Sequence, residues 1–306
     1  MIVTDHFTEE KVMRCLNLLD VLTILFISLI LLLVLLFYPC FPHGRQLLAG
    51  FGLLLIPAFF ISEARRRWTH IKTVRVICDF SPIFFIIFIF ELLGWITPYV
   101  RPDIDNLLIR IDLAVFRVHP TVWLERFFIP WVADLFALAY VSYYFIPLIL
   151  IFILYFRGKE EEFCITVTTL LLGYYLCFAA YIAMPAIGPR FTLSSLQQVP
   201  LHGGAILNWV VNTLNALEGN QRDCFPSGHT QTVLISLWFA FKYKRPLFWV
   251  YLPITIALIF STVYLRYHYV IDVIAGIVYA GITLLLGVGL WTWWGGYQKA
   301  SSCQMK

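Results

Sequence analysis

Long apolar segments alternate with short polar ones along almost the whole chain. Eight segments contain few charged residues, and all but the sixth reach the length of about 17–25 residues that crosses a bilayer as a helix. They cover residues 21–38, 46–62, 76–97, 128–156, 163–184, 229–241, 247–265 and 269–294. This pattern predicts an all-α polytopic membrane protein with about eight transmembrane helices.

The composition supports the same class. Apolar residues make up 60% of the 306 residues, charged residues 13%, and the mean hydropathy is +0.81. Soluble domains contain roughly 45–50% apolar and about 25% charged residues. A soluble protein is therefore excluded. We expect the bilayer and a membrane lipid as partners, and no nucleic acid.

One polar segment breaks the apolar pattern. Residues 101–127 mix apolar positions with Arg110, Asp112, Arg117 and Glu125. Such a mixture is typical of amphipathic helices that lie on the bilayer surface. We therefore expect this segment to connect the third and fourth spans along the membrane interface.

The distribution of basic residues predicts the orientation. With both termini in the cytoplasm, fourteen of the 22 Lys and Arg residues fall on the inner side, with "EARRRW" and "FKYKRP" as the main clusters. Basic residues favour cytoplasmic loops, so the chain is predicted to be N-in and C-in. Three polar motifs then meet at the outer face: "PAIGPRF" at 185–191, "CFPSGHT" at 224–230 and "LRYHYVID" at 265–272.

The third motif contains a histidine and an aspartate four residues apart. His268 and Asp272 share one face of a helix at this spacing. A carboxylate bonded to one imidazole nitrogen fixes the tautomer and leaves the other nitrogen able to act as a nucleophile. The same pair also fits a contact that merely terminates a helix.

The second motif has the pattern of a helix start. Ser227 is a favoured N-cap residue, and the free N–H groups of a first helical turn bind phosphate. Gly228 allows close approach of the backbone to a phosphoryl oxygen, and His229 lies in the same turn. An ordinary helix cap beside a buried histidine is the alternative interpretation.

Two arginines and one further acid complete the candidate set. Arg190 follows Pro185 and Pro189 in a rigid loop, where its guanidinium can bind two phosphate oxygens. Arg266 is a second candidate of the same kind, and Asp223 is a candidate to orient a histidine or arginine. Surface arginines that reach lipid headgroups are the alternative for both.

Taken together, these residues favour phosphoryl transfer through a phosphohistidine. The set lacks the carboxylate cluster that Mg²⁺ requires, and the seven cysteines lack metal-ligand spacing. We therefore expect neither a metal nor another cofactor.

These motifs resemble those of the type 2 phosphatidic acid phosphatase (PAP2) superfamily. Residues 226–229 match its P-S-G-H signature, and His268 with Asp272 match the end of its S-R-x5-H-x3-D signature. The resemblance covers residues 76–294. It implies a six-helix catalytic core that includes the amphipathic segment 101–127. Residues 1–75 then add two N-terminal spans, and residues 295–306 form a short cytoplasmic tail.

Two signatures depart from the family pattern. In the K-x6-R-P signature, Arg190 is preceded rather than followed by proline, and Ala183 stands at the lysine position. Thr262 stands where an arginine is expected six residues before His268, so Arg266 is the candidate replacement. This pattern is similar to the branch that contains inositol phosphorylceramide synthases of the aureobasidin-target type.

The resemblance implies a role for each candidate residue. His268 would attack phosphorus with Asp272 orienting it, and His229 would act as general acid and base. The residues implied to hold the phosphate oxygens are Arg190, Ser227, Gly228 and Arg266.

The implied function is a metal-independent lipid phosphate phosphatase at the non-cytoplasmic face. A phosphotransferase that moves a phosphoryl headgroup between lipids is the alternative enzyme. An anionic lipid transporter or scramblase is the non-enzyme alternative. The sequence leaves open the lipid, the acceptor, the oligomeric state and the source membrane.

Overall fold

The computed structural model describes residues 3–201, 204–217 and 219–304. These residues are mostly helical, and no β-strand occurs in the described ranges. The α-helices are α1 Val3–Leu36, α2 Gly44–Arg67, α3 Lys72–Leu93, α4 Thr97–Val100, α5 Asp105–Phe116, α6 Pro120–Trp123, α7 Pro130–Phe156, α8 Glu160–Ala183, α9 Pro189–Thr192, α10 Ala205–Leu217, α11 Gly228–Tyr243, α12 Arg245–Tyr264 and α13 Val270–Gln304. Two 3-10 helices cover Tyr38–Cys40 and Leu124–Phe127.

Each of the eight predicted spans corresponds to a helix. Seven of these helices contain a stretch long and apolar enough to cross a membrane, within α1, α2, α3, α7, α8, α12 and α13. The eighth, α11, has 16 residues, in keeping with the short segment seen in the sequence. The prediction of an all-α polytopic membrane protein is confirmed.

The helix ends extend beyond the apolar segments that located them. Helix α8 begins with Glu160, Glu161 and Glu162, and α2 ends with Arg65, Arg66 and Arg67. Acidic residues stabilise a helix N-terminus and basic residues a C-terminus, because the backbone dipoles place partial charges there. Hydropathy therefore locates the apolar middle of each helix and misses its polar turns.

The chain divides into two compact units. Unit 1 comprises the described residues of the ranges 1–95, 151–175 and 283–306. Within it, the fully buried Arg65 donates to Asp20 and to Asp79, each at 2.9 Å. A buried guanidinium paired with two carboxylates avoids the large cost of an unpaired charge inside an apolar protein.

Unit 2 comprises residues 96–150 and 176–282 and contains every predicted site residue. The amphipathic segment 101–127 lies in this unit and forms α5 and α6 together with the 3-10 helix Leu124–Phe127. Its helices form as expected, but Asp105 and Asp112 are buried rather than at the surface. The predicted boundary between a 1–75 segment and a 76–294 core stays a prediction.

Candidate active site

His268 lies in the tight connection between α12 and α13. The backbone N–H groups of Tyr267 and His268 both donate to the carbonyl oxygen of Thr262, at 2.9 and 3.0 Å. Arg266, within this connection, has a φ of 63°, a left-handed conformation that is rare for a residue with a side chain. Such conformations persist where the surroundings hold them, often at functional sites. The turn leaves the His268 side chain buried on the wall of a cavity.

The Nδ1 atom of His268 is fixed by contacts with the protein on the side away from His229. This atom lies 2.8 Å from the carbonyl oxygen of Cys224 and 3.5 Å from Oδ2 of Asp272. A carbonyl oxygen only accepts hydrogen bonds, so this contact assigns the proton of a neutral ring to Nδ1. The Nε2 atom then keeps its lone pair, which is the requirement for a nucleophile.

Asp272 lies beneath His268 and is fully buried. Its Oδ2 accepts a hydrogen bond from the backbone N–H of Tyr269 at 2.8 Å and from the thiol of Cys224 at 2.9 Å. The structure therefore brings the predicted His268–Asp272 pair together, with the Cys224 carbonyl as the closer partner of the imidazole. Sequence reasoning missed this role of Cys224.

His229 lies in the first turn of α11, opposite His268. Its Nδ1 is 3.4 Å from Nε2 of His268, and its ring packs between Tyr140 and Tyr143 with centroid distances of 4.5 and 4.3 Å. Its Nε2 has no hydrogen-bond partner among the described residues. The two imidazoles are thus close enough for both to contact one bound phosphoryl group.

Ser227 and Gly228 serve the local fold more directly than the cavity. The Ser227 hydroxyl caps α11 by accepting from the backbone N–H of Thr230 at 3.3 Å. A Cβ at Gly228 would overlap the hydroxyl of Tyr181, so only glycine fits there without displacing the Tyr181 side chain. Neither residue lines the cavity.

The cavity has a volume of about 60 Å³, enough for several water molecules. The charged and imidazole side chains on its wall are Arg190, Asp223, His229, Arg266 and His268. These residues come from the three polar motifs and the position just before the second. The predicted convergence of these motifs is therefore present within unit 2.

The two arginines have different surroundings. Arg190 is half-buried, and its guanidinium carbon lies 5.6 and 5.8 Å from the ring centroids of Phe191 and Tyr267. Arg266 is buried and pairs with Glu125 at 3.0 Å while donating to the carbonyl oxygen of Val199 at 2.7 Å. Burial lowers the pKa of Arg266, and the Glu125 carboxylate opposes part of that shift. Both arginines line the cavity, and Arg266 also anchors the turn of His268 to Glu125 and Val199.

Asp223 contributes a carboxyl group to the same wall. Burial raises its pKa, and the nearby His268 offsets part of this rise. A carboxyl that is easily protonated is less repulsive toward a bound phosphate than a permanently charged one.

Cys224, His268 and Asp272 also form a group with the geometry of metal ligands. One donor atom from each lies within 4.8 Å of the others. The thiolate, not the thiol, binds metals. Burial and the Asp272 carboxylate both hold the pKa of the Cys224 thiol well above its usual range, so the thiol form is favoured. This donor set fits a hydrogen-bonded cluster better than a metal site.

The comparison with protein families covers the part of the chain that contains this site. The family model described as PAP2 superfamily matches residues 107–286, which is more than half of the chain and spans all eight predicted site residues. No curated protein and no solved structure matches the chain significantly. Membership in this family supports a lipid enzyme of the phosphatase or phosphotransferase type. From the extent of this match, the chain belongs to the PAP2 superfamily.

Proposed function

We propose that this protein is a metal-independent lipid phosphate phosphatase that works through a phosphohistidine at His268. The observation that carries the proposal is the arrangement of the imidazole. Its Nδ1 is fixed by the Cys224 carbonyl at 2.8 Å, while its Nε2 lies 3.4 Å from Nδ1 of His229 at the cavity. Such an oriented lone pair beside a second imidazole is what nucleophilic catalysis with acid–base assistance needs.

The first step forms the phosphoryl-enzyme. The Nε2 of His268 attacks phosphorus, a P–N bond forms, and the bond from phosphorus to the lipid oxygen breaks. Protonated His229 gives its proton to that oxygen, so the lipid leaves as an alcohol. The Nδ1–H of His268 stays bonded to the Cys224 carbonyl, and the Asp272 carboxylate at 3.5 Å stabilises the positive charge that develops on the ring.

The second step returns the enzyme to its starting state. His229, now neutral, removes a proton from a water molecule as that water attacks phosphorus. The P–N bond breaks, inorganic phosphate leaves, and His268 regains its lone pair. The protonated form of His229 thus acts in the first half of the cycle and the neutral form in the second.

Positive charge at the cavity wall supports binding of the phosphoryl oxygens. Arg190 and Arg266 are the candidates, because both guanidinium groups lie on the cavity wall. A guanidinium directed at the oxygens stabilises the charge that spreads over them in the transition state. Ser227 and Gly228 contribute through the helix start that they form.

An apolar groove beside the site supports a lipid as substrate. It has a volume of about 730 Å³, and its wall includes Phe116, Trp123, Leu124, Ile256, Phe260 and Val270. Val270 is two residues from His268, so their Cα atoms lie within about 7.6 Å of each other. A hydrocarbon chain in the groove would place its headgroup near the cavity.

We further propose that the site faces away from the cytoplasm, with both termini inside. The support is the distribution of basic residues, which favours the cytoplasm for "EARRRW" and "FKYKRP". The substrate headgroup would then lie in the periplasmic, extracellular or lumenal leaflet.

A phosphotransferase similar to inositol phosphorylceramide synthases is the second candidate. It is favoured by the segment that carries Gln197 and Val199, which Arg266 binds beside the cavity. A segment bound there would limit the access of water to the phosphohistidine. A lipid alcohol would then replace water as the acceptor of the phosphoryl group. A transporter or scramblase would need the charges for binding but would have no use for an oriented imidazole.

The test is an assay of the purified protein in detergent, with a chelator, on lipid phosphates and phosphodiester lipids. Free phosphate and new lipid products are measured together, with His268→Ala as the control. Free phosphate that depends on His268 supports the phosphatase. A new phosphorylated lipid without free phosphate supports the transferase. Turnover that is unchanged in His268→Ala, or absent on every lipid, contradicts both enzymes.

A further inference from the structure

The amphipathic segment 101–127 turns three carboxylates inward. Asp105 is 4% exposed and Asp112 is 1% exposed, and the side chain of Glu125 is 8% exposed. The arginines of the segment are exposed instead; they are Arg101, Arg110, Arg117 and Arg126. Buried carboxylates are costly unless they are well bonded, so their partners indicate why they are there.

Asp112 holds the start of α13. Its two oxygens accept the backbone N–H groups of Val270 and Ile271, each at 2.9 Å. The first N–H groups of a helix have no partner within the helix, and a carboxylate there also complements the helix dipole. Burial raises the pKa of Asp112, and these two bonds oppose the rise. The helix start held in this way follows His268 by two residues and carries Asp272.

Asp105 joins the residues just before α9, the short helix that carries Arg190, to the turn of His268. One oxygen accepts the N–H of Gly188 at 2.8 Å and the hydroxyl of Tyr269 at 2.9 Å, and the other accepts the N–H of Ile187 at 3.0 Å. Gly188 has a φ of 92°, and a Cβ there would lie 2.8 Å from the carbonyl oxygen of Tyr267. Asp105 therefore fixes a loop that is already packed tightly against the catalytic turn.

Glu125 binds Arg266, just before the turn of His268, and the residues that follow α9. It pairs with Arg266 at 3.0 Å and accepts the backbone N–H groups of Gln198 and Val199 at 3.1 and 3.3 Å. Arg266 in turn donates to Gln197 and Val199. This network ties the residues after α9 to the turn that precedes His268.

We propose that Asp105, Asp112 and Glu125 are positioning residues that set the geometry of the site without lining the cavity. The proposal rests on the proposed phosphohistidine function. Asp105 and Asp112 both bind the residues that follow His268, Glu125 binds Arg266, and none of the three lines the cavity. The segment 101–127 thus acts as a common support that holds residues 187–199 and 266–271, which are distant in sequence, in fixed positions.

The test compares Asp112→Asn with a matched control on the same helix, Arg110→Gln, whose side chain is exposed. Asparagine keeps the shape and one acceptor oxygen but loses the charge and the second acceptor. We expect kcat to fall about tenfold to a hundredfold with KM within about twofold, because small displacements of reacting groups cost rate rather than binding. Asp112→Glu, which keeps the carboxylate, should recover part of kcat, and Arg110→Gln should match the wild type.

A purely structural role would change a different quantity. The burst amplitude in rapid-quench assays measures the fraction of enzyme molecules that are active. A folding defect therefore lowers the amplitude and leaves the rate per active molecule unchanged. That result, or a wild-type kcat in Asp112→Asn, overturns the proposal. If Asp112→Asn does not fold, Glu125→Gln provides the same comparison. A wild-type protein without His268-dependent turnover would instead refute the proposed function.

Discussion

The substitution Asp272→Asn tests how the nucleophile is oriented. Asp272 is fully buried, with Oδ2 at 3.5 Å from Nδ1 of His268, while the Cys224 carbonyl lies at 2.8 Å. Asparagine removes the negative charge but leaves the carbonyl contact. The tautomer that exposes the Nε2 lone pair should therefore persist, and only the electrostatic stabilisation of the ring cation should be lost.

The distance gives the size of this loss. Two unit charges about 4 Å apart interact by about 4 kcal/mol at the effective dielectric constant of about 20 that suits protein sites. The ring carries only part of a charge in the transition state, so about 2–4 kcal/mol is at stake. Since about 1.4 kcal/mol is a factor of ten in rate, Asp272→Asn should slow phosphohistidine formation by about 30-fold to 1000-fold.

Rapid-quench measurement of phosphohistidine formation in single-turnover conditions isolates this step. Wild type, Asp272→Asn and His268→Ala are compared at equal active-site concentration. If Asp272→Asn is as inactive as His268→Ala, the Cys224 carbonyl does not fix the tautomer and our reasoning is refuted. A wild-type rate would show that the carboxylate has no electrostatic role.

Three further substitutions test other parts of the site. His229→Gln should lose about 10²–10⁴ in the single-turnover rate of phosphohistidine formation from alkyl phosphates, but much less from a nitrophenyl phosphate, whose leaving group needs no proton; equal losses of this rate on both would contradict the general acid. Asp223 gains negative charge beside the phosphate as the pH rises through its raised pKa. KM should therefore rise with pH in the wild type and less so in Asp223→Asn, and parallel KM profiles would oppose this role. Ile256→Trp, in the apolar groove, should lower kcat/KM for long-chain lipids relative to short-chain ones, whereas Ile277→Trp, at an exposed position outside the groove, should not; the same chain-length preference in both variants would show that the groove does not bind the substrate.

Sequence patterns predicted the local elements of the fold well. The apolar segments located the eight long helices of the described residues, because a helix in hydrocarbon must be apolar along most of its length. The Ser227 cap and the His268–Asp272 pair were also predictable, since both depend on residues within one helical turn. Their geometry is set by spacing along the chain.

Contacts between distant segments were not predictable in the same way. Asp112 and Glu125 read as polar positions of a surface helix, yet each binds residues of unit 2 that lie far along the chain. Hydropathy shows that such residues are charged but not which backbone groups they meet. The sequence makes Arg266 a candidate for binding phosphate, but it does not indicate that the guanidinium also binds Glu125 and Val199.

The role of Cys224 was missed because its contribution is a backbone carbonyl. Every residue has a backbone carbonyl, and only the orientation of this one distinguishes it. No side-chain pattern in the sequence therefore marks it. Its position directly before the P-S-G-H motif became informative only when the turn of His268 was seen packed against it.

Direct detection of the phosphoryl-enzyme tests the central claim. The protein is quenched in alkali during turnover of a lipid phosphate, digested, and mapped by mass spectrometry for a phosphoryl group on nitrogen. The account predicts an acid-labile adduct on His268 that forms and decays at rates compatible with turnover and is absent from His268→Ala. Turnover without any adduct, or with an adduct on another residue that persists in His268→Ala, would contradict it.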